Sequence, residues 1–111
     1  MKFIFFLMAL PLLNNKCDKK NAIPACVKSR IEELKKEPRQ NPAAEVNEYT
    51  FNGKRVFLFN SPCCDQFNYL YDTDCDTICA PSGGYTGKGD QKCLDFTETA
   101  THVKLVWKDE R

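Results

Sequence analysis

Histidine, long apolar runs and a surplus of either charge are scarce in this chain of 111 residues. His102 is its only histidine, so a Ser–His or Cys–His nucleophile would depend on that single side chain. The 16 Lys and Arg balance 15 Asp and Glu, which leaves no basic surplus to attract nucleic acid. The sequence therefore argues against a nucleophilic enzyme and a nucleic-acid-binding domain, and we expect no catalytic residue.

The longest apolar run lies near the N-terminus, from Phe3 to Leu13, directly after the basic residue Lys2. A membrane-spanning helix needs roughly 20 apolar residues, so this run is too short to span a bilayer. A short apolar run behind a positive residue is typical of a secretory signal peptide. We therefore predict that residues 1–16 are a signal peptide and that the protein is exported.

Cys17 stands where bacterial lipoproteins are cleaved and lipidated, a few residues past a leucine-rich run. Lys16 departs from the usual pattern, which has Gly, Ala or Ser directly before the cysteine. We predict that Cys17 carries lipid and that residues 17–22 form a tether to a membrane of the bacterial cell envelope. Residues 23–111 are then expected to form one small domain.

The chain contains 7 cysteines, and lipidation of Cys17 would leave six. In an oxidising compartment these six are expected to form three disulfides. They are Cys26, Cys63, Cys64, Cys75, Cys79 and Cys93. Each disulfide typically contributes about 2–4 kcal/mol, which matters in a domain with a small core. Since a bond between the adjacent Cys63 and Cys64 would close a strained ring, we expect them to have different partners, one of them Cys26.

The clearest helix signal covers residues 23–37, which begin beside Pro24 and end before Pro38. Apolar residues at helical spacing form one stripe, made of Ile23, Val27, Ile31 and Leu34. Asn52-Gly53 stands between two runs rich in aromatic and β-branched residues, the signature of a two-residue type I′ hairpin. We expect the helix to pack on the hairpin face that carries Tyr49, Phe51, Val56 and Leu58.

Three further strands are predicted from alternating side chains and turn residues. They cover residues 66–72, 77–81 and 102–108. In the last strand Val103, Leu105 and Trp107 are expected to point inward, with His102 outward. The sequence therefore predicts an α+β domain, in which one N-terminal amphipathic helix packs on an antiparallel, disulfide-stapled sheet of about five strands.

Two metal-binding patterns are incomplete in this sequence. Cys75 and Cys79 have the spacing of half a zinc site, but the second half is missing and exported thiols oxidise. Asp72, Asp74 and Asp76 alternate as in a calcium loop, yet the Gly and Glu that an EF-hand needs further along are absent. We predict neither a metal nor a cofactor, and keep a surface calcium site as an alternative.

The remaining candidates are a binding surface and a protease-inhibitor loop. Aromatic residues of the second and third strands are expected to form an exposed patch, made of Phe57, Phe59, Tyr69 and Tyr71. The glycine-rich loop at residues 80–92 presents Tyr85 and Lys88 as further contact residues. A disulfide-braced loop there, or around Pro62, would alternatively suit a small protease inhibitor. We favour a binding module with an unknown protein or envelope ligand over an enzyme.

Several longer stretches resemble a known family. The matching segments are YTFNGKRVFLF, SPCCDQFNYLYD, ICAPSGGYTGKGDQKCLDF and LVWKDER. They resemble the small uncharacterised lipoprotein domains common in Bacteroidota-type bacteria, which are classed as a domain of unknown function. The resemblance implies a lipid-anchored domain facing the cell envelope, and it implies no activity, cofactor or catalytic residue.

Overall fold

The computed structural model of the chain describes residues 22–63 and 65–111. The predicted signal peptide, the lipidation site Cys17 and most of the predicted tether lie outside the described residues, as does Cys64. Within the two described ranges, neither helix is long and apolar enough to cross a membrane.

Helix α1 spans Ala25–Lys36 and confirms the predicted helix. Pro24 stands directly before the first turn, where its missing N–H leaves no hydrogen bond unmade. Basic residues occupy the last turn, where the helix dipole favours positive charge. Val27 and Ile31 are buried, so the helix rests on its predicted apolar stripe.

Five strands follow along the chain, with a one-turn helix before the last. They are β1 (Glu45–Phe51), β2 (Lys54–Phe59), β3 (Phe67–Tyr71), β4 (Thr77–Gly83), then α2 (Phe96–Thr99) and β5 (Thr101–Lys108). The strands form one sheet in the order β4-β3-β2-β1-β5, and every neighbouring pair is antiparallel. The predicted α+β domain with a five-stranded antiparallel sheet is confirmed.

The β1–β2 hairpin turns at Asn52-Gly53, as predicted. Both residues have positive φ, 54° and 76°, which a type I′ turn requires and which Asn and Gly tolerate best. The turn sets a register in which Tyr49 lies opposite Val56. Because successive side chains of a strand alternate, this register decides which residues share a face of the sheet.

Helix α1 packs on the face of the sheet that carries Val46 and Phe57, which we call the helix face. Val27 and Ile31 of α1 form one buried cluster with these two residues. The expectation that α1 meets the other face of the hairpin is therefore wrong. Alternation identifies the residues that share a face, but it does not determine which covering element each face receives.

The other side of the sheet, which we call the opposite face, is covered by the chain after β4. Its buried cluster contains Phe51, Val56, Leu70, Cys79, Cys93 and Phe96, with Tyr49 and Leu58 packed against it. The ring of Phe96 in α2 makes edge-on contacts with Tyr49 at 4.9 Å and with Phe51 at 5.2 Å between centroids. The residues predicted to meet α1 therefore meet α2 and the segment before it.

Strand β5 departs from the predicted alternation. Its pairing with β1 shifts register between Val46 and Asn47 and again between Glu48 and Tyr49. Such bulges change the side to which the following side chains point. Val103 and Leu105 are consequently about half exposed, at 48% and 49%, so the prediction that they point inward is wrong. Trp107 and its neighbour Val106 are partly buried and pack against the cluster beneath α1.

Two disulfides staple the described part of the domain. Cys26 in α1 bonds to Cys75 in the turn after β3, with their Cα atoms 6.0 Å apart. Cys79 in β4 bonds to Cys93 before α2, at a Cα separation of 6.2 Å. The predicted stapling is confirmed, but the prediction that Cys63 or Cys64 bonds to Cys26 is wrong. The turn after β3 returns directly beneath the start of α1 and supplies Cys75 instead.

The C-terminal end of the chain is fastened to the end of α1 by Arg111. Its guanidinium donates to the carbonyls of Leu34, Lys35 and Glu37 at 3.4, 3.2 and 2.9 Å. Carbonyls at a helix end lack partners within the helix, so these bonds satisfy them. The same guanidinium pairs with buried Asp109 at 2.7 Å. The hydrogen bond from Arg111 lowers the pKa of Asp109 from 3.8 to about 2.

Candidate functional site

The sheet carries a row of aromatic rings on the helix face, at the part of β2 and β3 that α1 does not bury. Alternation along β3 places Phe67, Tyr69 and Tyr71 on one side, and Phe59 of β2 lies opposite Tyr69. The ring centroids of Phe59 and Tyr71 are 5.4 Å apart, and those of Phe67 and Tyr69 are 5.8 Å apart. Both contacts are edge-on, the arrangement that aromatic pairs favour.

These rings line a groove of about 480 Å³. We call it the aromatic groove, and define it by Leu34, Gln40, Phe59, Phe67, Tyr69 and Tyr71. A polar rim follows the chain between β2 and β3, where Asn60, Ser61, Asp65 and Gln66 also contribute. Volumes of about 300–1,000 Å³, lined by apolar and aromatic side chains with a few polar groups, are typical of ligand sites.

Two of the rim side chains are already used by the fold. Asn60 accepts the N–H of Glu45 at 2.7 Å and donates to the carbonyl of Ala43 at 2.8 Å. The hydroxyl of Ser61 donates to the carbonyl of Cys63 at 3.0 Å. The two Asn60 bonds hold the connector before β1 against the end of β2, and the Ser61 bond lies within the turn after β2. Asn60 and Ser61 therefore shape the groove rather than offer free polar atoms.

Gln40 differs from these residues. Its Oε1 atom is buried and has no hydrogen-bond partner among the described residues. A buried carbonyl oxygen without a partner is costly, by about 1–3 kcal/mol, and native structures contain few of them. Gln40 lines the aromatic groove, but because this oxygen is buried, a ligand in the groove would reach it only after the side chain turned.

Three of the four residues of the predicted aromatic patch lie in this groove. Phe59, Tyr69 and Tyr71 lie together in the groove, and Tyr69 is 38% exposed. Phe57 does not contribute, because its side chain is fully buried beneath α1, at 0% exposure. The alternation of β3 signals Phe67 as a fourth ring. Gln40 gave no signal, since it stands in an irregular connector whose contacts only the folded chain creates.

Tyr85 and Lys88 lie outside the aromatic groove, on the glycine-rich loop after β4. Tyr85 is 90% exposed and Lys88 is exposed. The loop is folded back on β4, because Gly89 donates its N–H to the carbonyl of Gly83 at 2.9 Å. This compact turn differs from the extended, substrate-like strand that an inhibitor loop would present.

The same loop positions one ring of the groove. Gly84 has a φ of 78° and is buried, and a Cβ atom at this residue would overlap with Cε1 of Phe67. Only a residue without a side chain allows the backbone to approach the ring so closely. The loop after β4 therefore supports Phe67 from behind.

The aspartates considered for calcium form a turn between β3 and β4. Carboxylate oxygens of Asp72, Asp74 and Asp76 lie within 4.8 Å of one another. One oxygen of Asp72 accepts the N–H groups of Asp74 and Asp76 at 2.8 and 3.0 Å. Asp side chains commonly shape turns in this way. The turn also carries Cys75 to its disulfide, so the cluster has a structural role without an ion.

His102 lies on the opposite face, away from the aromatic groove. Its Nε2 atom is 2.8 Å from Oδ1 of Asn47, and its ring stands edge-on to Tyr49 at 5.1 Å. Its side chain is exposed, as predicted.

Comparison with known proteins shows the family of the chain. A family model described as a domain of unknown function (DUF6970) matches residues 32–109. No curated protein and no solved structure matches the chain. The matched range contains the whole sheet and every residue of the aromatic groove.

Proposed function

The chain belongs to the DUF6970 family, and we propose that it is an exported, lipid-anchored binding domain of the bacterial cell envelope. Its ligand contacts the aromatic groove. The observation that carries this proposal is the set of four aromatic rings that line one open groove with a polar rim. Aromatic residues are enriched in binding sites because they offer a large contact area with few rotatable bonds.

Binding rather than catalysis is the function that the side chains of the groove favour. Among the described residues that line it, Asp65 is the only carboxylic acid, and none is a histidine, cysteine or lysine. General acid–base catalysis usually uses a pair of titratable groups with different pKa values. One exposed carboxylate and a row of rings give the groove charge and contact area, which are properties of a binding surface.

Export is supported by the oxidised cysteines. The two disulfides indicate an extracellular or exported protein, since cytosolic thiols are normally kept reduced. The anchor is supported by the position of Cys17 after the apolar run. To test it, the full chain would be expressed in bacteria with an alkyne-bearing fatty acid. We expect label in the wild type and none in Cys17→Ser, and more label in Lys16→Gly. Equal labelling of wild type and Cys17→Ser would refute the lipid anchor.

The cysteine pairing adds a second test of the anchor. Cys63 is itself disulfide-bonded, while four others pair as Cys26–Cys75 and Cys79–Cys93. Lipid on Cys17 would leave that residue without a thiol for a disulfide. A non-reduced digest that links Cys17 to another cysteine would therefore refute the lipid anchor.

The binding role is tested by placing a photoreactive benzoylphenylalanine at Tyr69 of the full chain, in the cells that naturally make it. The matched control carries the same group at Tyr85, which is more exposed but lies outside the groove. We expect a discrete cross-linked product at residue 69 that is absent at residue 85. A product only at residue 85 would move the function to the glycine-rich loop, and no product at either residue would oppose a binding role.

A further inference from the structure

If the binding role proposed above holds, the residues that line the aromatic groove indicate which chemical class of ligand it binds. We infer that the groove receives the lysine or arginine side chain of a partner polypeptide. The inference rests on three properties of the groove: the charge of its rim, its ring faces and its apolar lining.

The one charged side chain among the described residues that line the groove is a hydrogen-bond acceptor. It is the carboxylate of Asp65, which is exposed at the rim. A carboxylate is satisfied only by donors, and an ammonium or guanidinium group offers donors without acceptors. An anionic ligand would instead place a second negative charge beside Asp65.

The rings favour the same charge. The face of an aromatic ring carries negative partial charge and attracts a cation placed over it. This molecule already uses the effect, because the guanidinium of Arg30 stands 4.5 Å from the centroid of Tyr71. Tyr69 is the neighbouring ring, at 6.3 Å between centroids and with 38% of its surface exposed. The exposed surface of Tyr69 can receive a cation from outside in the same way.

The two arginines near the groove determine where the incoming charge lies. Arg30 occupies the Tyr71 end, so a second cation would be repelled there. Arg39 directs its guanidinium to the carbonyl of Gln40 at 3.3 Å and does not line the groove. The incoming charge is therefore expected at the other end of the groove, close to Asp65.

The apolar lining of the groove fits the methylene chain of a lysine or arginine. Leu34 and Phe59 are partly buried apolar residues that line it. Lysine and arginine bury their methylene stems along apolar surface while the charged end reaches a polar partner. An inorganic cation has no stem. The exposed amide of Gln66 at the rim offers both a donor and an acceptor, which are the groups that a peptide bond requires.

The test uses the full chain, purified from membranes in a mild detergent and labelled with ¹⁵N. Two probes are titrated, the blocked tripeptides acetyl-Gly-Lys-Gly-amide and acetyl-Gly-norleucine-Gly-amide, which differ only in the ammonium group. We expect the lysine peptide to shift the amide signals of Gln40, Tyr69 and their neighbours. Its affinity should exceed that of the norleucine peptide by about tenfold, as expected for one charged contact over a ring.

Three variants assign the effect to the groove. Asp65→Asn and Tyr69→Leu should each bring the affinity for the lysine peptide close to that for the norleucine peptide. Tyr85→Leu, which removes an exposed ring outside the groove, should leave the tenfold difference unchanged. Equal affinities for the two peptides would overturn the inference while leaving a neutral ligand in the groove possible. The absence of shifts in the groove with either peptide would also overturn it, and cross-linking at residue 69 then decides the binding role separately.

Discussion

The same alternation of side chains produces both faces of the sheet, but different segments of the chain pack on them. On the opposite face, the Cys79–Cys93 disulfide and Phe96 close the apolar cluster. On the helix face, α1 buries Val46 and Phe57, whereas Tyr69 on the neighbouring strand stays 38% exposed. Exposed aromatic patches in small domains mark interaction sites more often than scattered apolar residues do. The helix face, with its exposed rings, is therefore the better candidate for a functional surface.

The largest expected difference between buried and open residues of the helix face concerns Phe57 and Tyr69. Phe57→Ala should lower the free energy of unfolding by about 3–5 kcal/mol, because the removed ring is fully buried beneath α1. Tyr69→Ala removes a partly exposed ring and should cost about 1 kcal/mol. Urea unfolding followed by circular dichroism measures both. Similar losses would mean that Tyr69 belongs to the core and not to a binding groove.

The stability lost on removing each disulfide gives a second comparison of the faces, because one disulfide ties α1 to the sheet and the other closes the opposite face. Cys26 and Cys75 are 49 residues apart in sequence, and Cys79 and Cys93 are 14 apart. A longer closed loop restricts the unfolded chain more, which predicts losses of about 4 and about 3 kcal/mol. Paired Cys→Ser substitutions and urea unfolding test this order. The reverse order would indicate that native packing, not chain entropy, sets the contribution of each bond.

Most of the sheet could be predicted from the sequence, but which segment packs on each face could not. Asn52-Gly53 determines both the turn and the register of its hairpin, so local chemistry was enough there. The side of the sheet on which α1 packs depends on long-range contacts, and the pattern of the hairpin fits either side. The prediction that Cys63 or Cys64 bonds to Cys26 was wrong for the same reason, because disulfide pairing also depends on long-range contacts. The rings of the groove follow from strand alternation, whereas the burial of the Gln40 oxygen results from tertiary packing alone.

A smaller difference in stability is expected when two glycines with positive φ are replaced by alanine. Gly53 has a φ of 76° and open space where a Cβ would lie, whereas Gly84 at 78° would meet the ring of Phe67. Gly53→Ala should cost about 1–2 kcal/mol from backbone strain alone. Gly84→Ala should cost more, and it should also shift the amide signals of Phe67 and Tyr69. Equal costs, with unchanged signals in the groove, would show that the loop after β4 does not support Phe67.

The last comparison concerns the contacts of Asp109 and Arg111 that hold the end of α1 to the C-terminal end of the chain. The pKa of Asp109 in the folded protein is lowered to about 2 by its hydrogen bond with Arg111, below its ordinary value of 3.8. A lowered folded pKa means that this stabilisation is fully present above about pH 4 and is lost as the pH falls towards 2. Asp109→Asn should therefore lower the free energy of unfolding at pH 6 and make it less dependent on pH between 4 and 2. Glu110→Gln, which changes a neighbouring exposed carboxylate, is the matched control and should retain the wild-type slope. If Asp109→Asn kept that slope too, the acid sensitivity would arise elsewhere, and the fastening of α1 would not depend on this charge.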